Sequence, residues 1–268
     1  MALATKVIIR SLSVRAAKTA AVNNVTVIGC GFMGSGIAQR CETFIQGVMS
    51  NISVSTNTID AVTNADMIVE AIYENMSVKK KLFTELNNAD IKKSAVFASN
   101  TSSLSVGEMA SVTGFPEKIG GLHFFCPVPV MKIVELVTHN MISQRTVDIL
   151  MEFCTKLGKE IVKCKDTPGF IVNRLMVPYM LEACRMAERG DASFKDIDTA
   201  MKLGAGYKIG PFELADYIGL EVMEYVINSF HDSYPSDPLF RKSDLVHKLV
   251  CDGKLGRKTG EGFYKYNK

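Results

Sequence analysis

The stretch Val25-Thr26-Val27-Ile28-Gly29-Cys30-Gly31-Phe32-Met33-Gly34-Ser35-Gly36-Ile37-Ala38-Gln39 decides the fold. Four apolar or β-branched residues run into G-x-G-x-x-G at Gly29, Gly31 and Gly34, and a helical pattern follows. A residue without a Cβ lets the backbone turn sharply and come close to a pyrophosphate. The helix behind it offers unpaired N–H groups and the positive end of its dipole to the phosphates. A tight β–α turn with no ligand would use some of the same glycines. The strand before and the helix after favour dinucleotide binding, with Gly29, Cys30, Gly31, Phe32, Met33 and Gly34 as the binding turn.

The rest of the composition is compatible with that reading. At 268 residues the chain can bury one large core or two modest ones. With 47% hydrophobic and 22% charged residues it reads as globular rather than disordered. A net charge of +3, with no basic stripe interleaved with aromatics, argues against nucleic acid. No apolar run approaches the roughly 20 residues of a membrane helix. The seven cysteines are scattered, none forms C-x-x-C, and no Cys/His group has metal spacing. That pattern suits free thiols in a reducing compartment.

The N-terminus has a different texture. Lys6, Arg10, Arg15 and Lys18 are basic, Ser and Ala are frequent, and the first acidic residue is Glu42. Ile8, Leu12, Val14 and Arg15 fit an amphipathic turn or two. Residues 1–23 therefore read as a mitochondrial transit peptide outside the fold, or else as a frayed basic terminus.

After the glycine turn a helix begins near Gly34. A dinucleotide-binding unit then needs a second strand, ending in an Asp or Glu about 20 residues on, to hold the ribose hydroxyls. No such strand is present. Glu42 comes too early, and Asp60 lies beyond the next strand candidate, Ile52–Thr56, opening a helix over Asp60–Asn64. The pattern then alternates regularly. Strands are expected at Asp66–Ile72, Ala95–Ser99, Lys118–Phe125, Met131–Thr138 and Glu160–Cys164. Helices are expected at Glu74–Asn87, Val106–Ser111 and Gln144–Leu157. This predicts a doubly wound parallel α/β sheet over residues 24–165. From Asp166-Thr167-Pro168-Gly169 onward the periodicity is helical: Ile171–Arg189, Ser193–Leu203, Gly210–Ile218, Leu220–Phe230 and Leu239–Asp252. Residues 166–268 are expected to form an all-α domain. Its apolar Leu175, Met176, Val177, Met180, Leu181 and Met186 suggest packing on another subunit or on the first domain.

Several residues carry chemistry. His123 ends a strand, where open α/β sheets place ligands, and imidazole suits a general base. Glu135 interrupts the apolar run Ile133-Val134-Glu135-Leu136-Val137 and needs a partner if buried. On neighbouring strands it would fix the His123 tautomer; a structural His–Glu pair fits the same residues. Ser99-Asn100-Thr101-Ser102-Ser103 offers hydroxyls to a ribose or a substrate, or simply caps the next helix. Asn173 begins a helix of the second domain and either reaches a cleft or is solvated. Glu74 and Lys79 share a helix face, where a surface pair is the ordinary expectation. Lys258 lies in the glycine-rich Gly256–Tyr264 loop.

Taken together these motifs strongly resemble the mitochondrial L-3-hydroxyacyl-CoA dehydrogenases of fatty-acid β-oxidation, of the short-chain type. The resemblance rests on the glycine turn, Val69-Glu70-Ala71-Ile72, Ser99–Ser103, Gly121-Leu122-His123-Phe124-Phe125-x-Pro127-Val128-Pro129, Asp166–Arg174 and Lys258–Tyr264. It spans nearly everything from residue 24 to 268. It implies a Rossmann-type NAD-binding domain and a homodimer formed by the second domain in the mitochondrial matrix. It implies that His123 takes the 3-hydroxyl proton of an acyl-CoA substrate while hydride leaves C3 for NAD, and that Glu135 orients His123. It implies substrate contacts from Ser102 and Asn173, with Glu74, Lys79, Ser102 and Lys258 near the coenzyme.

The chain departs from the family in two places. The strand with its ribose-binding acid, and the helical arm after it, are absent between Gln39 and Ile52. Cys126 stands where the family has Asn in His-Phe-Phe-Asn-Pro, and a thiol replaces an amide's strong hydrogen bonds poorly. Two readings follow: an NAD-dependent 3-hydroxyacyl-CoA dehydrogenase, or a truncated, weakly active or inactive dimerising relative with impaired NAD and CoA binding. Loss of the second strand also exposes backbone groups of the first or forces a new pairing.

Overall fold

Two kinds of unit are visible in the computed structural model, which describes residues 6–9, 22, 24–44 and 52–266. Contacts divide the chain into residues 1–170 and 171–268. The first unit is an eight-stranded sheet covered by helices. In chain order its strands are β1 (Lys6–Ile9), β2 (Val25–Ile28), β3 (Ile52–Ser55), β4 (Met67–Glu70), β5 (Val96–Ser99), β6 (Ile119–Phe124), β7 (Ile133–Thr138) and β8 (Glu160–Lys165). Between them run α1 (Phe32–Phe44), α2 (Thr58–Val62), α3 (Met76–Asn87), α4 (Val106–Ala110) and α5 (Gln144–Lys156).

The sheet order is β3-β1-β2-β4-β5-β6-β7-β8. Strands β2, β4, β5 and β6 are parallel neighbours. Each is wholly buried, as expected of strands covered on both faces. Side-chain alternation divides them between two cores. Val25, Val27, Met67, Val69, Ala98 and Leu122 pack with Ile37 of α1 and Leu150 and Phe153 of α5. Ile28, Ile68, Phe97 and Ile119 pack with Val62 of α2, Phe83 and Leu86 of α3 and Met109 of α4. Helices therefore cover both faces, the doubly wound arrangement.

Two features differ from the sequence expectation. The sheet is mixed rather than parallel, because β7 runs antiparallel to β6. Residues 125–132 join them, too few for the crossover of about a dozen residues that a parallel return needs. The second difference is the strand beside β2. It is not vacant: β1, from the stretch set outside the fold, pairs antiparallel with both β2 and β3. Val7, Ile8 and Ile9 are β-branched and suit an extended backbone better than the amphipathic turn expected of Ile8. The pairing also satisfies backbone groups of β2 that would otherwise form an open edge. Leu12, Val14, Arg15 and the rest of that turn lie outside the described residues, as does most of the remaining leader.

Local caps set the helix starts. Asn75 accepts from the Val78 N–H at the head of α3, so Glu74 precedes the helix. Ser143 does the same for α5. Asp166 is spent on α4, where its carboxylate accepts from the Ser105 hydroxyl at 2.7 Å and from the Val106 and Gly107 N–H groups at 3.0 and 2.8 Å.

The second unit is helical: α6 (Val172–Glu188), α7 (Phe194–Gly204), α8 (Pro211–Ile218), α9 (Leu220–Ser233) and α10 (Asp244–Cys251). The helix expected from Leu239 is instead a 3-10 turn at Pro238–Phe240 and a separate α10 capped by Ser243. Of the apolar residues read as outward-facing, Val177, Met180 and Leu181 are buried in the unit's own core, with Met176 and Met186 packed against it. Leu175 alone of that group is exposed. Two buried carboxylates tie the C-terminal tail down. Asp216 accepts from the Phe263 and Tyr264 N–H groups and the Tyr266 hydroxyl, and Asp198 from the Tyr264 hydroxyl. Burial and then the Asp198 carboxylate push the Tyr264 hydroxyl far above its ordinary pKa.

Asp166→Ala leaves two helix N–H groups and one hydroxyl without their acceptor. It is expected to cost about 2–3 kcal/mol, read as a lower urea midpoint at constant m-value.

Candidate active site

The carboxyl ends of β2, β4, β5 and β6 share one edge of the sheet, because the four strands are parallel. The chemistry-bearing residues of the first unit collect there. Ile28, Glu70 and Ser99 stand side by side in register, and the glycine turn follows Ile28 directly.

Gly29 has φ +115°, and a Cβ on it would lie 2.3 Å from the Ala71 carbonyl oxygen. A Cβ on Gly34 would lie 1.9 Å from the carbonyl oxygen of Gly29. Both positions accept glycine alone, the first for its backbone angle and both for their close approach. Gly31 differs: it is exposed and its Cβ position meets nothing within 4 Å. The turn is thus closed behind and open in front, a shape that admits a phosphate against the backbone. α1 starts at Phe32, two residues earlier than expected, and Phe32 is exposed. Met33 packs on the core and Cys30 is half-buried.

Beside the turn lies a network of buried charges. Lys79 on α3 is fully buried, and its ammonium reaches Glu70 Oε1 at 2.6 Å, Glu74 Oε2 at 3.2 Å and the Ile72 carbonyl at 3.4 Å. Three donors meet three oxygens. Glu70 also accepts from the Ile72 N–H at 2.7 Å and the Ser99 hydroxyl at 2.5 Å. Glu74 accepts from the Thr101 hydroxyl at 2.6 Å and the Ser102 N–H at 2.9 Å. The Glu74–Lys79 pair is therefore not the surface pair expected. It clamps the β5 loop, and Ser102 with it, to the end of β4.

The dyad comes together as its strand positions require. His123 on β6 faces Glu135 on β7 directly across the ladder. Nδ1 of His123 is 2.7 Å from Glu135 Oε2, and both side chains are buried. A carboxylate only accepts, so Nδ1 carries the hydrogen and Nε2 is left as the basic nitrogen. The ring lies against Phe125 and Phe170, with centroids at 4.4 and 5.6 Å. Asn100 Oδ1 accepts from the Phe124 N–H and binds the β5 loop to the dyad strand. Beyond Phe125 the chain turns through a cis Cys126–Pro127 peptide. Cys126 is exposed, and what burial it has raises its thiol pKa. Buried Lys159 donates to the carbonyls of Val128 and Met131 and holds the next part of this loop. The desolvation of its ammonium lowers its pKa.

Asn173 and Lys258 belong to the second unit. Asn173 is the second residue of α6. Lys258 lies in a 3-10 turn, Arg257–Thr259, and pairs with Glu221 of α9.

The family model described as 3-hydroxyacyl-CoA dehydrogenase, NAD binding domain, matches residues 41–167. Its C-terminal counterpart matches residues 169–266. The mitochondrial hydroxyacyl-coenzyme A dehydrogenase of Sus scrofa is 45% identical, covering 99% of this chain and all of the relative. The chain belongs to the 3-hydroxyacyl-CoA dehydrogenase family. A 3-hydroxybutyryl-CoA dehydrogenase of Clostridioides difficile is 41% identical over 82% of this chain and 78% of its own length. The solved (S)-3-hydroxybutyryl-CoA dehydrogenase of Ralstonia eutropha superposes with a TM-score of 0.82 at 33% identity, covering 91% of this chain and 99% of that one.

The alignment with the Sus scrofa enzyme runs over 314 positions, so at least 46 of them face gaps in the 268 residues here. The NAD-binding family model begins at residue 41, after the glycine turn. The cradle therefore fits an NAD pyrophosphate, while the ribose support of such domains has no counterpart among the described strands. β1 and β3, the strands beyond β2, contain no Asp or Glu.

Glu70 was legible as chemistry and was missed. It breaks the apolar run Met67-Ile68-Val69-Glu70 as Glu135 breaks its own, and the same desolvation argument applies. Asn100, Phe170 and Lys159 act through contacts between distant segments, which spacing along the chain does not reveal.

Lys79→Met strands two carboxylates and is expected to cost about 3–5 kcal/mol in urea unfolding. Glu74→Gln, at a quarter-exposed site, should cost about 1–2 kcal/mol. A Lys79→Met midpoint equal to that of the unmodified protein would contradict the buried pair.

Proposed function

We propose that this chain oxidises L-3-hydroxyacyl-CoA to 3-oxoacyl-CoA with NAD, as a step of fatty-acid β-oxidation. The observation that carries the reading is the His123–Glu135 dyad, buried and in register at the edge that also bears the glycine turn. In this reading Nε2 of His123 receives the proton of the substrate's 3-hydroxyl. Glu135 keeps Nδ1 protonated, aims the ring, and stabilises the imidazolium that forms. NAD, when bound, accepts the hydride from C3. Gly29, Cys30, Gly31, Phe32, Met33 and Gly34 would hold its pyrophosphate, with the α1 N-terminus behind them. Glu74 would act from the coenzyme side while keeping Ser102 in place for the substrate. Lys79, its donors already committed, would act through Glu70 and Glu74. Asn173 and Lys258 are proposed as the second unit's contributions to substrate and coenzyme.

A homodimer through the second unit is proposed as well, supported by exposed apolar residues such as Leu175 and Leu203. The mitochondrial matrix is the proposed location, supported by the mitochondrial relatives and by the leader-like composition of residues 1–23. Removal of that stretch as a transit peptide would also remove β1 and reopen the edge of β2.

His123→Gln is expected to lower kcat by at least about a hundredfold while leaving the circular dichroism spectrum and unfolding midpoint in place. Turnover retained in that variant would sink the assignment.

The second reading, a relative with impaired coenzyme binding, is favoured by one observation: β1, which pairs beside β2 where dinucleotide-binding domains place an acid-bearing strand, carries no Asp or Glu. Each charge-assisted hydrogen bond lost to the ribose is worth about 1.5–3 kcal/mol, or one to two decades of affinity. Calorimetric titration of the purified chain is therefore expected to give an NAD Kd raised by at least about tenfold over a full-length family member. Equal affinity in the two proteins would refute this account of the gap.

A further inference from the structure

Away from the dyad, the second unit carries another oriented imidazole. His247 and Cys251 lie one turn apart on α10, and Glu224 projects from α9. Nδ1 of His247 is 2.6 Å from Glu224 Oε1, and Nε2 is 3.6 Å from Cys251 Sγ. The carboxylate can only accept, so Nδ1 holds the hydrogen. Nε2 is then the acceptor, and the contact with Cys251 is an S–H···N hydrogen bond. Nucleophile, base and orienter stand in line, the arrangement that activates a thiol. It is not a metal site: sulfur and carboxylate lie at opposite nitrogens of one ring, and no group among the described residues is placed to hold a metal ion.

We propose that Cys251 is a reactive thiol that undergoes exchange with low-molecular-weight disulfides, with His247 as its base. The Sγ proton passes to His247 Nε2, and Sγ attacks one sulfur of the disulfide. The disulfide's S–S bond breaks and a new one forms to Cys251. The departing thiolate takes the proton back from Nε2. The Cys251 sulfur is oxidised, the small disulfide is reduced, and one free thiol is released. Exchange of this kind needs a thiolate and an open approach, with no oxyanion hole. Cys251 is exposed at the end of its helix.

The other thiols provide the contrast. Cys41, Cys154 and Cys184 are buried, and burial pushes Cys41, Cys164 and Cys184 up to about 12. Cys126 is the other exposed thiol; burial also raises its pKa, and among the described residues no imidazole is hydrogen-bonded to its sulfur. Exposure alone therefore does not separate Cys126 from Cys251, and the His247–Glu224 pair does.

The test uses the full chain and glutathione disulfide, with each cysteine's mixed disulfide followed by peptide mass spectrometry. Cys251 is expected to react at least about tenfold faster than Cys126, and His247→Gln to slow Cys251 by about tenfold without slowing Cys126. Glu224→Gln, which loosens the ring without removing the base, is expected to slow Cys251 by a smaller factor. Faster reaction at Cys126, or the same Cys251 rate in His247→Gln as in the unmodified chain, would overturn the proposal. Both variants lie in the second unit, and its unfolding would show as labelling of Cys184, buried in that unit's core, so a folding failure is not mistaken for loss of reactivity.

Discussion

A carboxylate buried in a β-strand must find a charged or hydrogen-bonding partner, and the first unit meets that demand twice at one sheet edge. Glu135 takes the Nδ1 hydrogen of His123. Glu70 takes Lys79, the Ile72 N–H and the Ser99 hydroxyl. Unpaired, either would cost several kcal/mol. Paired, each fixes the position of something else. Glu135 decides which imidazole nitrogen is basic. Glu70 anchors Lys79, Lys79 holds Glu74, and Glu74 holds the Ser102 backbone. The rigidity of the edge follows from electrostatic necessity in an apolar setting, where a half-satisfied network would be worse than none.

The flank of β2 shows what happens when a sheet lacks its expected neighbour. β2 is central and wholly buried, so its backbone groups need a ladder on both sides. On one side β4 supplies it. On the other, β1 takes the position, antiparallel, and β3 follows outside it. A ladder is satisfied by any backbone of suitable conformation. A ribose is not: it needs an acid at the end of that strand, and Lys6–Ile9 and Ile52–Ser55 have none. Completing the ladder and contacting a ribose are therefore separate problems, and β1 meets the first.

The sequence was most legible where one physical rule acted alone. The glycine turn, the alternation of buried strands with capped helices, and the helical second half all follow from local pattern, and the element positions agree to within a few residues. His123 and Glu135 were readable as a pair because a carboxylate in an apolar run demands one. The same rule pointed at Glu70, but its partner is nine residues along the chain on another element, and Lys79 read as a solvated helix face. Periodicity gives the face of a helix and not what covers it. At the N-terminus two signals overlap: basic and small residues describe an address, whereas Val7-Ile8-Ile9 describe a strand, and composition cannot choose between them. Val177, Met180 and Leu181 looked available for a partner until the unit's own core accounted for them.

Gly29 and Gly34 illustrate why ancestry is easier to read than affinity. Their side-chain positions are blocked by backbone, at 2.3 Å and 1.9 Å, so the fold itself forbids any other residue there. They would persist in a chain that bound no nucleotide at all. Gly31 is the opposite case, with open space before it and no packing reason to lack a Cβ. Of the three fingerprint glycines it alone has a Cβ position that the fold leaves open, as a close approach by a ligand would need. The open face at Gly31 is thus the part of the motif that leaves room for a phosphate, while the strands beyond β2 bring no acid toward a ribose.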